Sequence, residues 1–332
     1  DHRDLHSFPT RRSSDLNEMV PVKQGGSPPA GKWIGSPMGG VEAPDPIRLP
    51  DPKTRFRATA ERFEALAGGH RMSDWLGFMA ALSRAQHAAA VSLAPAAQLT
   101  EEQILQSVRL HKPPLAADTH VRAPAWRDGL EIVLRSLERY AMPQGASDAM
   151  DALRASDASE MEALAGQFLG GSLDADKALP ALFVAAALQV YFTLAASLIR
   201  PALLRLLPER GACPCCGSPP VSGVIMASGP TPGVRYLYCS LCSTAWNHVR
   251  AVCITCEGAG AISLRGIEGD NGAVKAEVCR DCQTYAKMLY QAKDMQIDPF
   301  ADDLASLGLD MMVSEAGWAR HAPNPLLLLG SR

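Results

Sequence analysis

Eight cysteines arranged in four CxxC pairs are the residues of this sequence best suited to chemistry. All nine cysteines of the chain lie between residues 213 and 282. Two residues between thiolates allow both sulfurs of a tight turn to face one tetrahedral metal ion. The sequence therefore predicts metal binding by four turns, which we call the first to fourth knuckles: Cys213/Cys216, Cys239/Cys242, Cys253/Cys256 and Cys279/Cys282.

The spacing of the knuckles repeats along the chain. Twenty-two residues separate the first knuckle from the second, and the same number separates the third from the fourth. Each cysteine of the second set follows its counterpart in the first by forty residues. Because a constant internal offset indicates a duplicated structural unit, we predict two four-cysteine modules in tandem.

The segments between paired knuckles are predicted to be β-hairpins. β-rich runs at 221–227 and 234–238 flank a Gly/Pro-rich turn in the first module, and runs at 261–267 and 273–278 flank an Asn-Gly turn in the second. Because a hairpin brings its two ends together, the knuckles at those ends should share one ion. The predicted ligands are Cys213, Cys216, Cys239 and Cys242 for site 1, and Cys253, Cys256, Cys279 and Cys282 for site 2.

A cross-braced arrangement, with the first knuckle joined to the third and the second to the fourth, is the alternative that the equal spacing disfavours. All-sulfur tetrahedral coordination suits both iron and zinc, so the predicted cofactors are two ions of either metal. The simplest role for such ions is structural, because they staple a small domain. A redox or metal-delivery role is the alternative.

Other residues with chemical potential have ordinary interpretations. Cys215 lies between two predicted ligands, either as a small occupant of the turn or as a reactive thiol. His248 is interpreted as a core histidine, because four sulfurs already complete each site. Gly258-Ala259-Gly260 lacks the third glycine of a dinucleotide fingerprint, and neither a P-loop nor a G-x-S-x-G motif occurs. We therefore predict no catalytic residues, no other cofactor site, and a protein that is not an enzyme.

The chain before the knuckles has Ala/Leu-rich helical periodicity from Asp51 onward. A capping-box pattern beginning at Thr100 opens one of these helices, and no β-rich run interrupts them. The predicted fold class is α+β multidomain: an N-terminal all-α helical domain, tandem rubredoxin-like or zinc-ribbon modules, and a C-terminal helix. The helices are predicted at about 51–67, 73–93, 100–112, 125–141, 146–155, 158–169, 178–199 and 298–318.

The segment 178–199 carries no formal charge and is long enough to span a bilayer. Gln189, Thr193 and Ser197 nevertheless recur every four residues and form a polar stripe. Such a stripe needs hydrogen-bonding partners, which neighbouring helices provide more easily than lipid does. We therefore predict the buried central helix of a bundle and no stable membrane insertion.

Changes in composition along the chain predict the boundaries of its units. Residues 1–49 are expected to be a disordered or extended lead-in, within which residues 1–16 resemble a translated sequencing-adapter fragment and are treated as artefactual. The predicted units that follow are the helical domain at 50–208, the first module at 209–250, the second module at 251–292, and a C-terminal helix with a tail at 293–332.

Charge and cysteine usage restrict the partners and the compartment. A net charge of −3 argues against bulk electrostatic attraction to nucleic acid or to an anionic membrane. Clustered cysteines suit a reducing compartment, and no signal peptide is apparent, so we expect a cytoplasmic protein. A zinc-ribbon nucleic-acid binder is a minor alternative, supported by aromatic residues near Arg235, Arg250, Lys275, Arg280 and Lys287. The carboxylates of Asp298, Asp302, Asp303 and Asp310 are expected on a solvated helix face rather than on an acidic recognition face.

Longer motifs around the knuckles are more specific than the CxxC spacing alone. They are Cys213-Pro214-Cys215-Cys216-Gly217, Arg235-Tyr236-Leu237-Tyr238-Cys239, Cys242 with Trp246, Lys275-Ala276-Glu277, Thr284-Tyr285, Leu289-Tyr290-Gln291 and Ala301-Asp302-Asp303-Leu304-Ala305-Ser306-Leu307. These motifs resemble one known family, the FdhE formate dehydrogenase accessory proteins. The resemblance is dense over about 205–325, and Cys215 and Gln283 are departures from the usual pattern.

The resemblance implies a cytoplasmic protein needed for the biogenesis of respiratory, molybdenum- or tungsten-dependent formate dehydrogenase. It also implies rubredoxin-like sites that can hold iron, and contacts with the dehydrogenase catalytic subunit before that subunit is exported. A homodimer is one option for the assembly of the chain itself. The alternative functions are a rubredoxin-type redox protein acting on this client and, less favoured, the nucleic-acid binder.

Overall fold

The structure is a computed structural model that describes residues 43–94, 99–229 and 231–327. Most of the predicted lead-in and the last five residues of the predicted tail therefore lie outside the described residues. The described end of the lead-in contains a short strand, β1 (Ile47–Arg48), which pairs with the sheet that carries the knuckles. The sequence did not predict this strand.

The N-terminal part of the described chain is helical, as the periodicity predicts. Two short 3-10 turns, Ala175–Lys177 and Pro201–Leu203, flank the last helix. The α-helices are α1 (Pro52–Ala67), α2 (Ser73–Ser92), α3 (Glu101–Arg109), α4 (Ala125–Leu137), α5 (Gln144–Ala155), α6 (Ala158–Leu169) and α7 (Ala178–Ser197).

Local capping explains where several of these helices begin. The Asp51 side chain accepts a hydrogen bond from the backbone N–H of Lys53 at the start of α1. Thr100 forms the predicted capping box with Gln103, and Asp157 forms a second one with Glu160. Each box satisfies backbone N–H groups that have no partner within the helix.

Helix α7 is the centre of the helical part. Every residue from Ala181 to Ala196 is buried, and the helix packs against α1, α2, α4, α5 and α6. Its length and apolarity would suit a membrane span, but 83% of its most apolar window is buried inside the protein. These contacts match the predicted central helix of a bundle.

One sheet contains both cysteine modules. Its strand order is β1-β4-β3-β2-β7-β6-β5, and β8 pairs with β7 outside that path. Besides β1, the strands are β2 (Pro220–Ile225), β3 (Arg235–Cys239), β4 (Ala245–Asn247), β5 (Ile262–Arg265), β6 (Val274–Cys279), β7 (Thr284–Tyr290) and β8 (Ala319–Arg320).

The two modules have the same three-stranded antiparallel layout and join edge to edge. Strands β2, β3 and β4 form the first module, and β5, β6 and β7 form the second. Strand β2 pairs in parallel with β7, with Val224 opposite Leu289. The sequence predicts the two hairpins, whereas this parallel junction appears only in the fold.

The C-terminal part differs from the predicted single helix over 298–318. It forms α8 (Ala301–Ala305) and α9 (Leu307–Glu315), separated at Ser306, whose backbone angles are not helical. The Ser306 hydroxyl donates to the backbone carbonyls of Asp302 and Asp303 and accepts from Lys287 Nζ. These bonds occupy carbonyls at the end of α8 and explain the interruption there.

The expectation that the C-terminal carboxylates lie on a solvated face is wrong. Asp302, Asp303 and Asp310 are buried. Asp302 accepts two hydrogen bonds from Arg62 of α1, at 2.6 and 2.8 Å. Burial of these carboxylates is compatible with folding because each one has a cationic partner.

The polar stripe on α7 finds partners in the cysteine modules. Gln189 Nε2 donates to the Ser240 carbonyl at 2.8 Å, and Gln189 Oε1 accepts from Gln86 Nε2 at 2.9 Å. The Thr193 hydroxyl lies 3.1 Å from the Ser243 hydroxyl. Helix α7 therefore holds the second knuckle directly.

We expect Gln189→Leu to lower the free energy of unfolding by about 2 kcal/mol, because the buried Ser240 carbonyl would lose its partner and the Gln86 amide would lose one of its two acceptors. Urea unfolding followed by circular dichroism measures this loss. Ser197→Ala is the control, since among the described residues the Ser197 hydroxyl bonds only within its own helix, to the Leu194 carbonyl. That variant should lose less than about 0.5 kcal/mol, and equal losses would contradict the proposed role of Gln189.

Candidate metal centres

The four sulfurs of site 1 converge at the ends of the β2–β3 hairpin. They all lie within 4.8 Å of one another. The Cys213 and Cys242 sulfurs are 3.5 Å apart, and the Cys216 and Cys239 sulfurs are 3.4 Å apart. Metal–sulfur bonds of about 2.3 Å in a tetrahedron place sulfurs about 3.8 Å apart. The spacing of this set therefore fits one tetrahedral ion after a small expansion.

Backbone N–H groups and a hydroxyl surround the site 1 sulfurs. Leu241 N and Cys242 N donate to the Cys239 sulfur at 3.4 and 3.3 Å, and Cys215 N donates to the Cys213 sulfur at 3.4 Å. Thr244 Oγ1 lies 3.2 Å from the Cys242 sulfur. The backbone N–H donors favour the thiolate form that a metal ion needs, whereas the Cys242 thiol donates to Thr244 Oγ1.

The helical part encloses site 1. Leu115 N and Ala117 N donate to the carbonyls of Cys215 and Cys216, both at 2.9 Å. Arg55 Nε of α1 donates to the Ser243 hydroxyl at 3.0 Å. With the contacts from α7, these bonds join both site 1 knuckles to the main hydrophobic core, to which all four site 1 cysteines belong.

Site 2 repeats the sulfur arrangement at the ends of the β5–β6 hairpin. Its four sulfurs also lie within 4.8 Å of one another. The Cys253 and Cys282 sulfurs are 3.6 Å apart, and the Cys256 and Cys279 sulfurs are 3.8 Å apart. These distances fit the tetrahedral spacing for an ion bound by four sulfurs without expansion.

A threonine hydroxyl lies beside one cysteine of each site, at the same position of the repeat. Thr284 Oγ1 lies 3.0 Å from the Cys282 sulfur, as Thr244 lies beside Cys242. Thr284 donates to Thr255 Oγ1 at 2.8 Å, and Thr255 Oγ1 lies 2.8 Å from His321 Nδ1. No role at the sulfur sites was predicted for these threonines, although their forty-residue offset is a signal that could have identified it.

The two sites differ in their exposure to solvent. All four site 1 cysteines are buried, whereas Cys256 is exposed and Cys282 is half-buried. A cleft of about 590 Å³ opens beside Cys256, between the first and third knuckles, and is lined by Glu209, Gly217 and His321 among others. Site 2 is therefore open to solvent, whereas site 1 is not.

The residue after each knuckle adopts a left-handed backbone conformation. The φ angles are 80° for Gly217, 59° for Ser243, 58° for Glu257 and 55° for Gln283. Only the first is glycine, the residue that takes this conformation most easily. Gln283, a departure from the expected pattern, therefore adopts the same turn as its three counterparts.

The protonation of the thiols sets a condition for metal binding. Burial raises the pKa of Cys213 and Cys239 well above the ordinary range, and burial raises the pKa of Cys253 to about 12. Burial would also raise the pKa of Cys282, but its contacts with Thr284 and with the neighbouring thiols outweigh burial and lower the pKa to about 7. An ion would therefore have to displace protons from most of these thiols, so metal affinity should fall in acid.

The remaining candidates lie outside the two sulfur sets. Cys215 is buried in the main core, where its proximity to Cys242, together with burial, raises the pKa of its thiol. His248 Nδ1 lies 2.6 Å from Arg235 Nη2 and 3.0 Å from the Val249 carbonyl. Burial lowers the pKa of His248 to about 4, as for a neutral core histidine.

Two of the five basic residues that suggest nucleic-acid binding cannot contact a ligand. Arg235 and Lys287 are buried. Arg235 donates to Glu277 Oε1 at 2.7 Å and to the Val252 carbonyl at 2.8 Å, so it links the two modules. Trp246 and Tyr285 are buried as well and cannot stack on exposed bases.

Protein-family models match nearly the whole described part of the chain. Three sequence models match consecutive segments: "FdhE, N-terminal" at residues 44–208, "FdhE, central domain" at 212–250 and "FdhE, C-terminal domain" at 251–327.

Individual proteins give the same result. "Protein FdhE homolog" of Edwardsiella ictaluri is 39% identical over 292 residues, covering 86% of this chain and 92% of the relative. "Protein FdhE" of Escherichia coli is 35% identical over 288 residues, with 86% and 92% covered. The crystal structure of the FdhE protein from Pseudomonas aeruginosa superposes with a TM-score of 0.77 at 34% identity, covering 86% of this chain and 99% of that one.

Proposed function

The chain belongs to the FdhE family, and from this premise we propose that it is an accessory protein in the biogenesis of respiratory formate dehydrogenase rather than an enzyme. It binds the immature catalytic subunit in the cytoplasm, before export of that subunit. The contact is made by the sheet domain that carries the two four-cysteine sites. Cys213, Cys216, Cys239 and Cys242 hold one ion, and Cys253, Cys256, Cys279 and Cys282 hold the other.

The observation that carries this proposal is the presence of two complete four-sulfur sets in one sheet of a chain from this family. A bound ion would supply four metal–sulfur bonds that fix the two knuckles of each module. The strands between the knuckles then have a defined position, because both of their ends are held. A partner would therefore meet a surface that is already ordered, which reduces the entropic cost of binding.

A rubredoxin-type redox protein is the second candidate, and the exposure of site 2 favours it. Electron or thiol exchange with a client needs a sulfur that the client can approach, and Cys256 is exposed. Metal analysis and visible absorption of protein purified without oxygen distinguish the candidates. Colourless, zinc-loaded protein would exclude electron transfer by the metal, whereas coloured iron protein that is reversibly reduced would support it.

Capture of the client tests the assembly function. We expect immobilised protein to retain the catalytic subunit from an extract of cells that synthesise it, and Cys256→Ser to retain much less. Met311→Ser is the control, because Met311 is exposed on α9 and belongs to neither sulfur set. Quantitative immunoblotting of the eluted subunit provides the measurement. If the unsubstituted protein retains no catalytic subunit, the assembly function is wrong.

A further inference from the structure

The two sites have the same ligands but different surroundings. Cys216 and Cys256 occupy the same repeat position, forty residues apart. Cys216 is buried in the main core, and its carbonyl accepts a hydrogen bond from Ala117 N. Among the nine cysteines, all of which lie in the described part of the chain, Cys256 alone is exposed.

The hydrogen bonds from α1 and α7 that secure the second knuckle are not repeated at the fourth knuckle among the described residues. The Ser240 carbonyl accepts from Gln189 of α7, and the Ser243 hydroxyl accepts from Arg55 of α1, whereas the corresponding residues of the fourth knuckle are Arg280 and Gln283. The Gln283 side chain donates to the Arg280 carbonyl at 2.7 Å, and the Gln283 carbonyl accepts from Ala319 N of β8, so neither bond comes from the helical part. Site 2 thus lacks the cover that the helical part gives to site 1.

The cleft beside Cys256 gives a molecule access to site 2. Its walls are the chain leading into the first knuckle, around Glu209 and Ala212, and the third knuckle from Ile254 to Glu257. Its volume of about 590 Å³ is sufficient for a side chain or a small thiol. A sulfur entering there would approach the ion from the side of Cys256.

We propose that site 2 holds an exchangeable metal ion and that Cys256 is the ligand that leaves when a thiol enters through the cleft. The incoming sulfur forms a bond to the metal as the bond from the Cys256 sulfur breaks. The proton of the incoming thiol passes to Cys256, and the oxidation state of the metal does not change. This inference rests on the ligand sets proposed above but not on the identity of the client.

Zinc release tests the difference between the sites. Protein loaded with two equivalents of zinc is mixed with a chromophoric chelator, with and without glutathione. We expect one equivalent to leave roughly ten- to hundredfold faster than the other, because the outer shell of one site is solvent-exposed. Glutathione should accelerate only the fast equivalent. Iodoacetamide followed by peptide mass spectrometry should modify Cys256 before any site 1 cysteine.

Variants of Glu209, an exposed residue in the wall of the cleft, test the route of entry. We expect Glu209→Trp to fill part of the cleft and reduce the acceleration by glutathione several-fold, with two zinc equivalents still bound. Glu209→Gln is the matched control, because it removes the same charge without adding bulk. Equal acceleration in both variants would overturn the route through the cleft.

The same assay distinguishes a protein thiol from a free thiol as the entering group. A short peptide with one central cysteine represents a protein thiol, and glutathione represents a free thiol. Acceleration by either one supports exchange at site 2, and acceleration by neither overturns it. Two equivalents leaving at equal rates would also overturn the inference while leaving the ligand sets intact. Fewer than two bound equivalents would instead contradict the ligand sets themselves.

Discussion

Replacement of Cys216 by serine is expected to unfold most of the protein, whereas the same change at Cys256 leaves the fold in place. Cys216 lies in the main hydrophobic core, with its knuckle bonded to the loop that follows α3. Removing it would take one ligand from a buried ion and would place a hydroxyl among three thiolates. We expect a loss of at least about 5 kcal/mol, which is comparable to the whole stability of a domain.

Thermal unfolding followed by circular dichroism, together with metal analysis, provides the measurement. Cys256→Ser should bind about one equivalent of metal and retain the helical signal, because site 2 does not belong to the main core. Cys215→Ser is the control within the first knuckle, since Cys215 is buried but lies outside the sulfur set. It should lose only about 1–2 kcal/mol. If Cys216→Ser and Cys256→Ser melt alike, site 1 has no special structural role.

Lys287→Met is expected to destabilise the protein by about 3–5 kcal/mol, because the buried carboxylates of Asp303 and Asp310 are then left to share the single charge of Arg320. Lys287 Nζ lies 3.1 Å from Asp303 Oδ1 and 2.5 Å from Asp310 Oδ2. Arg320 also contacts Asp303 but cannot neutralise both carboxylates. Lys287, Asp303 and Asp310 form a buried charge group that links β7 to α8 and α9. Loss of this group should release the C-terminal helices from the sheet.

Urea unfolding at several pH values tests this prediction. Burial would raise the pKa of Asp303, but Arg320 and Lys287 outweigh it and hold the pKa below its ordinary value. The ion pairs that Asp303 makes with Arg320 and Lys287 therefore stabilise the protein above about pH 4. This contribution is lost as the pH falls through the pKa of Asp303 in the folded state. Without Lys287 the carboxylate is easier to protonate, so the gap between variant and unsubstituted protein should narrow in acid.

Lys275→Met on the neighbouring strand is the matched control. Lys275 is half-buried, and its ammonium lies 5.4 Å from the centre of the Tyr290 ring. Its replacement should cost less than about 1 kcal/mol, because an exposed cation–π contact is weak. If Lys275→Met lowers the free energy of unfolding as much as Lys287→Met does, the buried charge group adds no specific stabilisation.

Local patterns in the sequence were sufficient to predict the helices of the N-terminal part and the two hairpins, but not the break between α8 and α9. The capping box at Thr100 and the period of α4 depend on residues three or four apart, so no distant partner is needed to interpret them. The pairing of β5 with β6 follows from a turn that contains Asn271-Gly272. The forty-residue repeat likewise predicted which sulfurs would converge, because each hairpin closes over a short stretch of chain.

Tertiary structure alone decided how the units fit together. The parallel junction of β2 with β7 and the pairing of β1 with β4 join segments far apart in sequence, and no local period records such contacts. The same holds for Asp303 and Lys287, which look like surface charges until both are buried against each other. The sequence by itself determined two equivalent four-cysteine sites. Only the packing of α1 and α7 on one of them made site 1 buried and left Cys256 of site 2 open to solvent.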